Sequence, residues 1–325
     1  MLIHYWGVGM AMVRYLIVRT IWLLLIFVII FLITYYAARV SHLVIWTRGF
    51  TLWEILQIVT EEFNEFMNDL LFGVVEQRQS SENVREQFVR TAPVSLFLVS
   101  VAFVYSFIVG MVLGVFSAMY PKSLFDNVVS SITLFFASIP AYLWVIGLMV
   151  YFTWQRDWLP GIYPNYPTDL GPPPLSLQAL GLIIPVVALS FYPIANFAQL
   201  LRAELIEQST SETMLLAKAK GLTPKRAMLK HLLPNSFIPL IRQLPNMFTF
   251  MLFNAFLVEV AYNVPGVARW LFDSMYHRSF KQFFMDPPVV VTVSMFYATL
   301  MITMTFISDF LYALIDPRIH IHSKK

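Results

Sequence analysis

The chain has 325 residues, of which 58% are hydrophobic and 13% charged, and its formal net charge is +3. Soluble domains average roughly 45–50% apolar and about 25% charged residues. A single globular domain of this size cannot bury all of the additional apolar side chains. The small charge gives no indication of nucleic-acid binding. The absence of cysteine excludes disulfides, thiol nucleophiles, iron–sulfur clusters and thiolate zinc sites. The composition therefore predicts an all-α, polytopic membrane protein.

Six apolar stretches are long enough to cross a membrane, because a spanning helix needs about 20 residues. The predicted spans are residues 16–38, 93–119, 125–152, 179–201, 237–262 and 288–315. Their length and lack of alternation favour helices over barrel strands. No small-residue cleavage site follows the first span, so we expect it to be a retained helix. We expect Pro185 and Pro193 to kink the fourth span.

Positive charges concentrate on one side of these spans, which predicts that this side is cytoplasmic. The cations on that side are Arg14, Arg19, Lys122, Arg202, Lys218, Lys220, Lys225, Arg226, Lys230, Arg242, Arg318, Lys324 and Lys325. Acids dominate the opposite side, namely Glu54, Glu61, Glu62, Glu65, Asp69, Glu76, Glu82 and Glu86. An even number of spans then leaves both termini in the cytoplasm.

The chain divides into four parts: the N-terminus with the first span at 1–38, an acidic extracytoplasmic segment at 39–91, a core at 92–317, and a tail at 318–325. The acidic segment contains a predicted helix at 51–75, whose apolar residues recur at helical spacing. These residues are Leu52, Ile55, Leu56, Val59, Phe63, Phe66, Leu70 and Leu71. The helix is either a packing element at the outer mouth or a contact surface for a delivery protein.

The core contains a cytoplasmic loop at about 205–236, which predicts a compact helix–turn–helix. A hydroxyl residue at 209–211 can cap the first helix, with Glu212 favourably placed in its first turn. Gly221 suits the left-handed residue that ends this helix.

The second helix of this loop has its own start and stop signals. Thr223 is a suitable N-cap, and Pro224 fits the first helical position. The helix is predicted to run to Leu233, and Pro234 is predicted to end it before the fifth span begins.

The first loop helix is expected to expose Met214, Leu215, Ala217 and Ala219. Small and flexible apolar side chains allow close approach of a groove on another protein. A basic amphipathic loop lying on anionic lipid is an equal alternative.

Near the outer end of the fifth span, Glu259 precedes a break at Pro265 and Gly266. An ionised carboxylate there is costly unless it is paired or hydrated. Glu259 is therefore either a helix-end group bonded to the outer loop or a gate residue that touches cargo.

Several stretches, in order, resemble the permease subunits of binding-protein-dependent ABC importers, in the peptide and nickel branch (oligopeptide and dipeptide permease B type). The most specific is Ala217-Lys218-Ala219-Lys220-Gly221 followed by Leu233-Pro234-Asn235-Ser236, which resembles that family's coupling loop. Further resemblances lie at 90–95, 110–114, 138–140, 158–160, 259–267 and 309–318.

The resemblance implies a type I ABC importer permease core (MetI-like) with six transmembrane helices, in a bacterial cell membrane. It implies that a helix at 211–221 couples to ATPase subunits. The residues carried over to this role are Glu212, Met214, Leu215, Ala217, Lys218, Ala219 and Gly221. The implied partners are a second homologous permease, two ATP-binding cassette subunits and an extracytoplasmic substrate-binding protein, within the lipid bilayer.

No Gly-x-x-x-x-Gly-Lys-(Ser/Thr) motif occurs, so this chain is expected to bind no ATP itself. The resemblance implies that the partner ATPase subunits bind ATP and Mg²⁺, with no cofactor in this chain. The histidines are scattered, and His320 and His322 are read as part of a solvated tail, so no catalytic or metal site is predicted.

The substrate class follows from the resemblance alone. The family implies oligopeptides or dipeptides, with nickel or a metal chelate as the alternative for the same architecture. The Pro-Gly-Asp-Pro motif frequent after the first span of peptide permeases is replaced here by Tyr35-Tyr36-Ala37-Ala38-Arg39. From a different class, an ion-driven secondary transporter requires acids buried in mid-membrane, whereas Glu259 and Asp309 lie toward span ends.

Overall fold

The structure, a computed structural model, describes residues 2–46, 50–72, 83–164, 175–277, 282–283 and 286–315. Within these residues the chain is almost entirely helical. The helices are α1 (Leu2–Trp46), α2 (Leu52–Phe72), α3 (Val84–Met119), α4 (Leu124–Ala137), α5 (Ala141–Met149), α6 (Leu175–Gln208), α7 (Glu212–Ala219), α8 (Pro224–Ala227), α9 (Leu233–Ala261), α10 (Val267–Met275) and α11 (Pro287–Ile315). Two π-helical segments follow α5 and α8, at Val150–Gln155 and Met228–Leu232. Strands β1 (Tyr276–His277) and β2 (Gln282–Phe283) form a two-residue antiparallel pair.

Several predictions on the acids and the terminal tail fall outside the described residues, namely those on Glu76, Glu82, Arg318, His320, His322, Lys324 and Lys325.

The described helices agree with the predicted number of membrane spans. Five are long and apolar enough to cross a membrane: Leu16–Val44, Val84–Met119, Ser176–Gln208, Pro224–Ala261 and Pro287–Ile315. A sixth span is formed if α4 and α5 count as one bent pair.

The third predicted span, 125–152, is not one continuous helix, because α4 and α5 are bent by 98°. The break lies at Pro140, which has extended backbone angles (φ −57°, ψ 145°) and precedes α5. Proline disfavours helical geometry in the residue before it and cannot donate to the preceding turn. The fourth predicted span, in contrast, remains helical through Pro185 and Pro193.

Close contact between α3 and α6 forms the centre of the bundle. A Cβ atom on Gly110 would lie 2.7 Å from the Cβ of Phe197, and one on Gly114 would lie 2.7 Å from the carbonyl oxygen of Ala198. Small residues let membrane helices approach to backbone contact in this way. In the same interface the Ser190 hydroxyl donates to the carbonyl oxygen of Ala102 at 3.3 Å.

On the N-terminal side of the bundle, α1 packs against α11. The Nε atom of Arg19 donates to Asp309 Oδ2 at 2.5 Å. Asp309 is therefore paired with Arg19. It lies toward the end of its span, as predicted from the sequence.

The predicted helix of the acidic segment is present as α2, which packs on α1. Ile55, Val59 and Phe66 are buried, and the hydroxyl of the buried Tyr35 donates to the carbonyl oxygen of Val59 at 3.2 Å. Leu52 and Leu56, predicted on the same apolar face, are exposed.

A capping box begins α2. The Thr51 backbone N–H donates to Glu54 Oε2 at 2.7 Å, and the Thr51 hydroxyl donates to the same oxygen at 2.8 Å. These two bonds lower the pKa of Glu54 below its usual value.

Candidate functional site

The predicted loop helix is present as α7, and the sequence signals at both of its ends are confirmed. Ser211 is the N-cap, with its hydroxyl accepting from the Met214 backbone N–H at 3.4 Å. At the other end Gly221 adopts φ +81°. Its N–H donates to the carbonyl oxygen of Lys218 at 2.9 Å, and the Leu222 N–H donates to that of Ala217 at 3.2 Å. This pair of bonds is the Schellman motif, which favours glycine at the left-handed position.

The second loop helix does not end where the sequence predicted. Thr223 and Pro224 begin α8 as expected, although the Thr223 side chain makes no capping hydrogen bond. The chain then continues through the π-helical segment Met228–Leu232 into α9, so Pro224–Ala261 is one long helical element. Pro234 lies in the first turn of α9, directly after the π-helical segment. A proline is tolerated there for two reasons. The first turn of an α-helix does not use the N–H that proline lacks, and the wider π turn relieves the clash between the proline ring and the preceding carbonyl groups.

The prediction that α7 exposes Met214 and Ala217 is wrong. Both side chains are buried, at 3% and 5% exposure, in an apolar cluster with Leu205 of α6, Ala227 of α8 and Met228. Met214 and Ala217 lie three positions apart on one face of α7. That face packs against α6, α8 and the π-helical segment. The small side chain at Ala217 is thus explained by internal packing.

The opposite face of α7 is open. Leu215 and Leu216 are 62% and 63% exposed. Glu212, Lys218, Ala219, Lys220 and Gly221 are also exposed. The predicted site residues therefore divide into an inner pair, Met214 and Ala217, and an outer surface that includes Leu216, which sequence analysis did not single out.

A buried ion pair lies beside this loop. Asp126, 1% exposed, accepts two hydrogen bonds from the Arg202 guanidinium, at 2.5 and 2.7 Å. The Ser117 hydroxyl donates to the same carboxylate, and the Lys122 backbone N–H donates to it at 2.8 Å. The pair therefore joins α3, α4 and α6 at one end of the bundle.

A second contact joins the loop to the α3–α4 turn. The Lys225 ammonium donates to the Tyr120 hydroxyl at 2.8 Å and lies 3.9 Å from the centroid of the tyrosine ring. A cation over an aromatic face is electrostatically favourable. This contact connects α8 to the α3–α4 turn, next to the ion pair that joins the ends of three membrane helices.

Sequence analysis missed the Asp126–Arg202 pair. The available signal was an acid in the first turn of the third predicted span and an arginine just beyond the fourth. Opposite charges at the same membrane face can pair, but sequence alone does not show which helices are neighbours.

At the far end of α9, Glu259 is completely buried. Its Oε2 atom accepts from the Ala268 backbone N–H at 2.9 Å, at the N-terminus of α10. The Ser95 hydroxyl bonds to the same carboxylate and accepts from the Val267 N–H at 2.8 Å. A carboxylate at a helix N-terminus satisfies free donors and complements the helix dipole.

Gly266 makes this arrangement possible. A Cβ atom there would lie within 2.5 Å of both Glu259 Cδ and Ser95 Oγ. Pro265, predicted beside it, is half-buried in the connection between α9 and α10. The predicted trio of Glu259, Pro265 and Gly266 is therefore one local cluster, with the carboxylate enclosed by the chain.

These features define a multi-pass α-helical membrane protein with a short surface helix secured at one end of the bundle. The chain belongs to the family described as the binding-protein-dependent transport system inner membrane component, whose family model matches residues 110–321.

Curated relatives match most of the chain. It is 30% identical over 247 residues to the dipeptide transport system permease protein DppB of Bacillus subtilis, covering 76% of this chain and 74% of that protein. It is 29% identical to the di/tripeptide transport system permease protein DppB of Pseudomonas aeruginosa, covering 80% of each chain. It is 27% identical to the oligopeptide transport system permease protein OppB of Haemophilus influenzae, covering 74% of each.

A solved structure shares the fold. An inward-facing structure of the MetNI methionine ABC transporter matches with a TM-score of 0.52 and 18% identity, covering 71% of this chain and 97% of that chain. This similarity supports the predicted MetI-like permease fold.

Proposed function

We propose that this chain is the permease subunit of an ATP-driven peptide importer and forms half of its translocation pathway. The observation that carries the proposal is α7, a short helix secured to the bundle on one face and open on the other. The peptide substrate class rests on the named activities of the dipeptide, di/tripeptide and oligopeptide permeases that the chain resembles.

The exposed face of α7 is the surface through which the chain couples to an ATPase subunit. Leu215 and Leu216 supply apolar area, and Glu212, Lys218 and Ala219 surround them. Exposed leucines beside small and charged residues suit insertion of an amphipathic helix into a groove. Two ATP-binding cassette subunits hold ATP and Mg²⁺, so this chain itself needs no cofactor and performs no hydrolysis.

Movement of the ATPase subunits reaches the membrane through the contacts of α7. Met214 and Ala217 transmit displacement to α6 through their packing against Leu205, and the Asp126–Arg202 pair carries it to α3 and α4. ATP-driven closure thereby shifts the population between conformations open to opposite sides.

The proposed orientation places α7 and both termini in the cytoplasm, in agreement with the distribution of lysine and arginine. The acidic segment and the α9–α10 connection then face outward, where a substrate-binding protein docks. A second, homologous permease completes the pathway.

The Glu259 cluster has a structural role in this proposal. Its carboxylate bonds to Ala268 and Ser95 and has no exposed surface. It anchors the outer end of α9 to the α10 connection, without touching cargo.

The test is reconstitution. The chain is co-expressed with a second permease, two ATPase subunits and a binding protein from the same organism, and the purified complex is placed in proteoliposomes. ATP-dependent uptake of a labelled tripeptide is expected from the full set and is expected to be absent without the ATPase subunits. Uptake of tripeptide by this chain alone, or uptake of nickel ions in place of peptide, would overturn the proposal.

A further inference from the structure

All but one of the side-chain amides within the predicted spans lie on two helices. One amide, Asn127, lies in the first turn of the third predicted span. The others within the predicted spans are Asn196, Gln199, Gln243, Asn246 and Asn254, and all of them belong to α6 or α9. Such a distribution indicates that α6 and α9 share a polar environment.

Three of these amides surround an aromatic contact between the two helices. The rings of Tyr192 and Phe250 stack with centroids 3.9 Å apart and an interplanar angle of 26°. Asn246 and Asn254 lie one turn before and one turn after Phe250, and Asn196 lies one turn after Tyr192. Because α6 and α9 run in opposite directions, Asn196 and Asn246 lie on the same side of the ring pair. We call these five residues the amide–aromatic stripe.

The stripe is accessible from outside the chain. Asn246 is exposed, Phe250 is 37% exposed, and Tyr192, Asn196 and Asn254 are half-buried. The Asn254 amide nitrogen donates to the Phe250 carbonyl oxygen at 2.9 Å. Among the residues that the structure describes, no donor reaches the amide oxygens of Asn246 and Asn254. Polar groups left open at membrane depth are costly in lipid, so this face lies against something that can hydrogen bond.

The chemistry of the stripe is uncharged. The residues of α9 from 243 to 258 include no ionisable side chain, and those of α6 from 175 to 201 include only the phenol of Tyr192. An amide side chain offers both a donor and an acceptor, the same pair that a peptide bond presents. An aromatic surface adds apolar contact without selecting a charge.

We propose that the amide–aromatic stripe binds the main chain of a peptide during its passage, with Asn246 and Asn254 as the hydrogen-bonding groups. This inference rests on the proposed peptide transport and names the residues that determine the range of peptides transported. Main-chain recognition by uncharged groups accepts peptides of any side-chain charge. The two asparagines are eight residues apart, roughly 12 Å along the helix. An extended chain covers about 3.4 Å per residue, so about four residues are needed to reach both amides.

The first experiment locates the stripe relative to the pathway. The chain has no cysteine, so Asn246→Cys and Asn254→Cys each introduce a single thiol in this subunit. The complete transporter, with cysteine-free partner subunits, is treated in membranes with a charged thiosulfonate reagent, with and without an alanine tetrapeptide. We expect both thiols to react and the tetrapeptide to slow the reaction.

Val112→Cys is the matched control, since Val112 is 49% exposed on α3, away from the stripe. It is expected to remain unmodified in lipid. Equal protection of all three positions from the reagent would mean that lipid or the partner permease covers the stripe, and would overturn the proposal.

The second experiment measures uptake of neutral, lysine-containing and glutamate-containing tetrapeptides. Asn246→Ala and Asn254→Ala are each expected to lower uptake about tenfold, by the same factor for the three peptides, because each removes a hydrogen bond to the peptide main chain. Asn246→Asp is expected to favour the lysine peptide over the glutamate peptide. Thr299→Ala on the exposed face of α11 is the control and is expected to change nothing.

The outcomes separate the two proposals. Absence of peptide uptake by the wild-type complex would contradict the proposed function itself. Normal wild-type uptake with unchanged uptake by Asn246→Ala and Asn254→Ala would contradict the role of the stripe alone. Membrane abundance of each variant and its co-purification with the ATPase subunits identify losses caused by misassembly.

Discussion

Arg202 donates two hydrogen bonds to the carboxylate of Asp126, whose side chain is 1% exposed, while Arg202 retains 31% exposure. The acid is thus enclosed and the base is partly hydrated. The two single substitutions are therefore expected to differ in their effect on stability, because removal of the base leaves a buried charge unpaired and removal of the acid leaves a partly hydrated one.

Arg202→Gln is expected to be the more damaging of the two single changes at this pair. It leaves a buried carboxylate without its cation, at a cost of about 3–5 kcal/mol. Asp126→Asn leaves a partly hydrated guanidinium, at about 2 kcal/mol. Thermal unfolding of the detergent-solubilised complex measures the difference.

The exposed pair Arg90–Glu86 supplies the control, with side chains 62% and 61% exposed. Glu86→Gln is expected to change stability by less than about 0.5 kcal/mol. Equal stability of Arg202→Gln and Glu86→Gln would mean that the buried pair does not secure the helices.

The second prediction concerns the open face of α7. Leu215→Ser and Leu216→Ser are each expected to weaken ATPase binding about tenfold, because each removes apolar area from the proposed docking surface. Neither side chain packs in the apolar cluster of Met214 and Ala217, so membrane abundance is expected to remain normal. Co-purification of ATPase subunits gives the measurement.

Lys218→Gln separates this interpretation from attachment of the loop to anionic lipid. Docking in a protein groove predicts a smaller loss of ATPase binding for Lys218→Gln than for Leu215→Ser. A larger loss for the lysine variant, together with a dependence on anionic lipid, would support the lipid alternative.

The third prediction concerns Ala217, which lies at the inner face. Ala217→Trp is expected to destabilise the loop by about 1–3 kcal/mol, because the ring has no space beside Ala227 and Met228. The measurement is proteolysis of the loop in membranes, and Ala219→Trp on the exposed side is the matched variant. Cleavage of both at the wild-type rate would contradict the packing seen here.

The fourth prediction concerns Gly221, where φ is +81° and nothing lies within 4 Å of an added Cβ atom. Any effect of substitution there is therefore due to backbone conformation. Gly221→Val is expected to cost more than about 1 kcal/mol, and Gly221→Asn much less, because asparagine tolerates the left-handed region. Peptide uptake is expected to follow the same order, and equal uptake by the two variants would exclude a role for the turn.

The fifth prediction concerns Glu259 and Gly266. Gly266→Ala is expected to lower the yield of folded protein, since its Cβ would overlap Glu259 and Ser95. Glu259→Gln is expected to lower yield as well, with unchanged uptake for each folded molecule. Full yield combined with lost uptake in Glu259→Gln would indicate a gate.

The number of spans and the ends of α7 could be predicted from sequence because they depend on local chemistry. Length and apolarity determine a span, and Ser211 and Gly221 act within their own turns. The direction that α7 faces could not be predicted, since Met214, Leu215 and Leu216 are alike in polarity and only tertiary contacts distinguish them. The effect of a proline on a helix was equally unpredictable from sequence. Pro140 separates α4 from α5, whereas Pro234 lies within one long helical element because a π-helical segment accommodates it.

The approach of α3 to α6 restricts which parts of the molecule can move separately. At Gly110 and Gly114 there is no room for a methyl group, so α3 and α6 are packed at backbone contact and are expected to move together. Asp126 adds α4 to this unit, and Met214 and Ala217 add α7. If α7 couples to an ATPase subunit as proposed, a force on α7 is expected to act on these four helices as one unit. The motion that opens a path is then expected at an interface held by side-chain contacts, such as the one where Tyr192 meets Phe250.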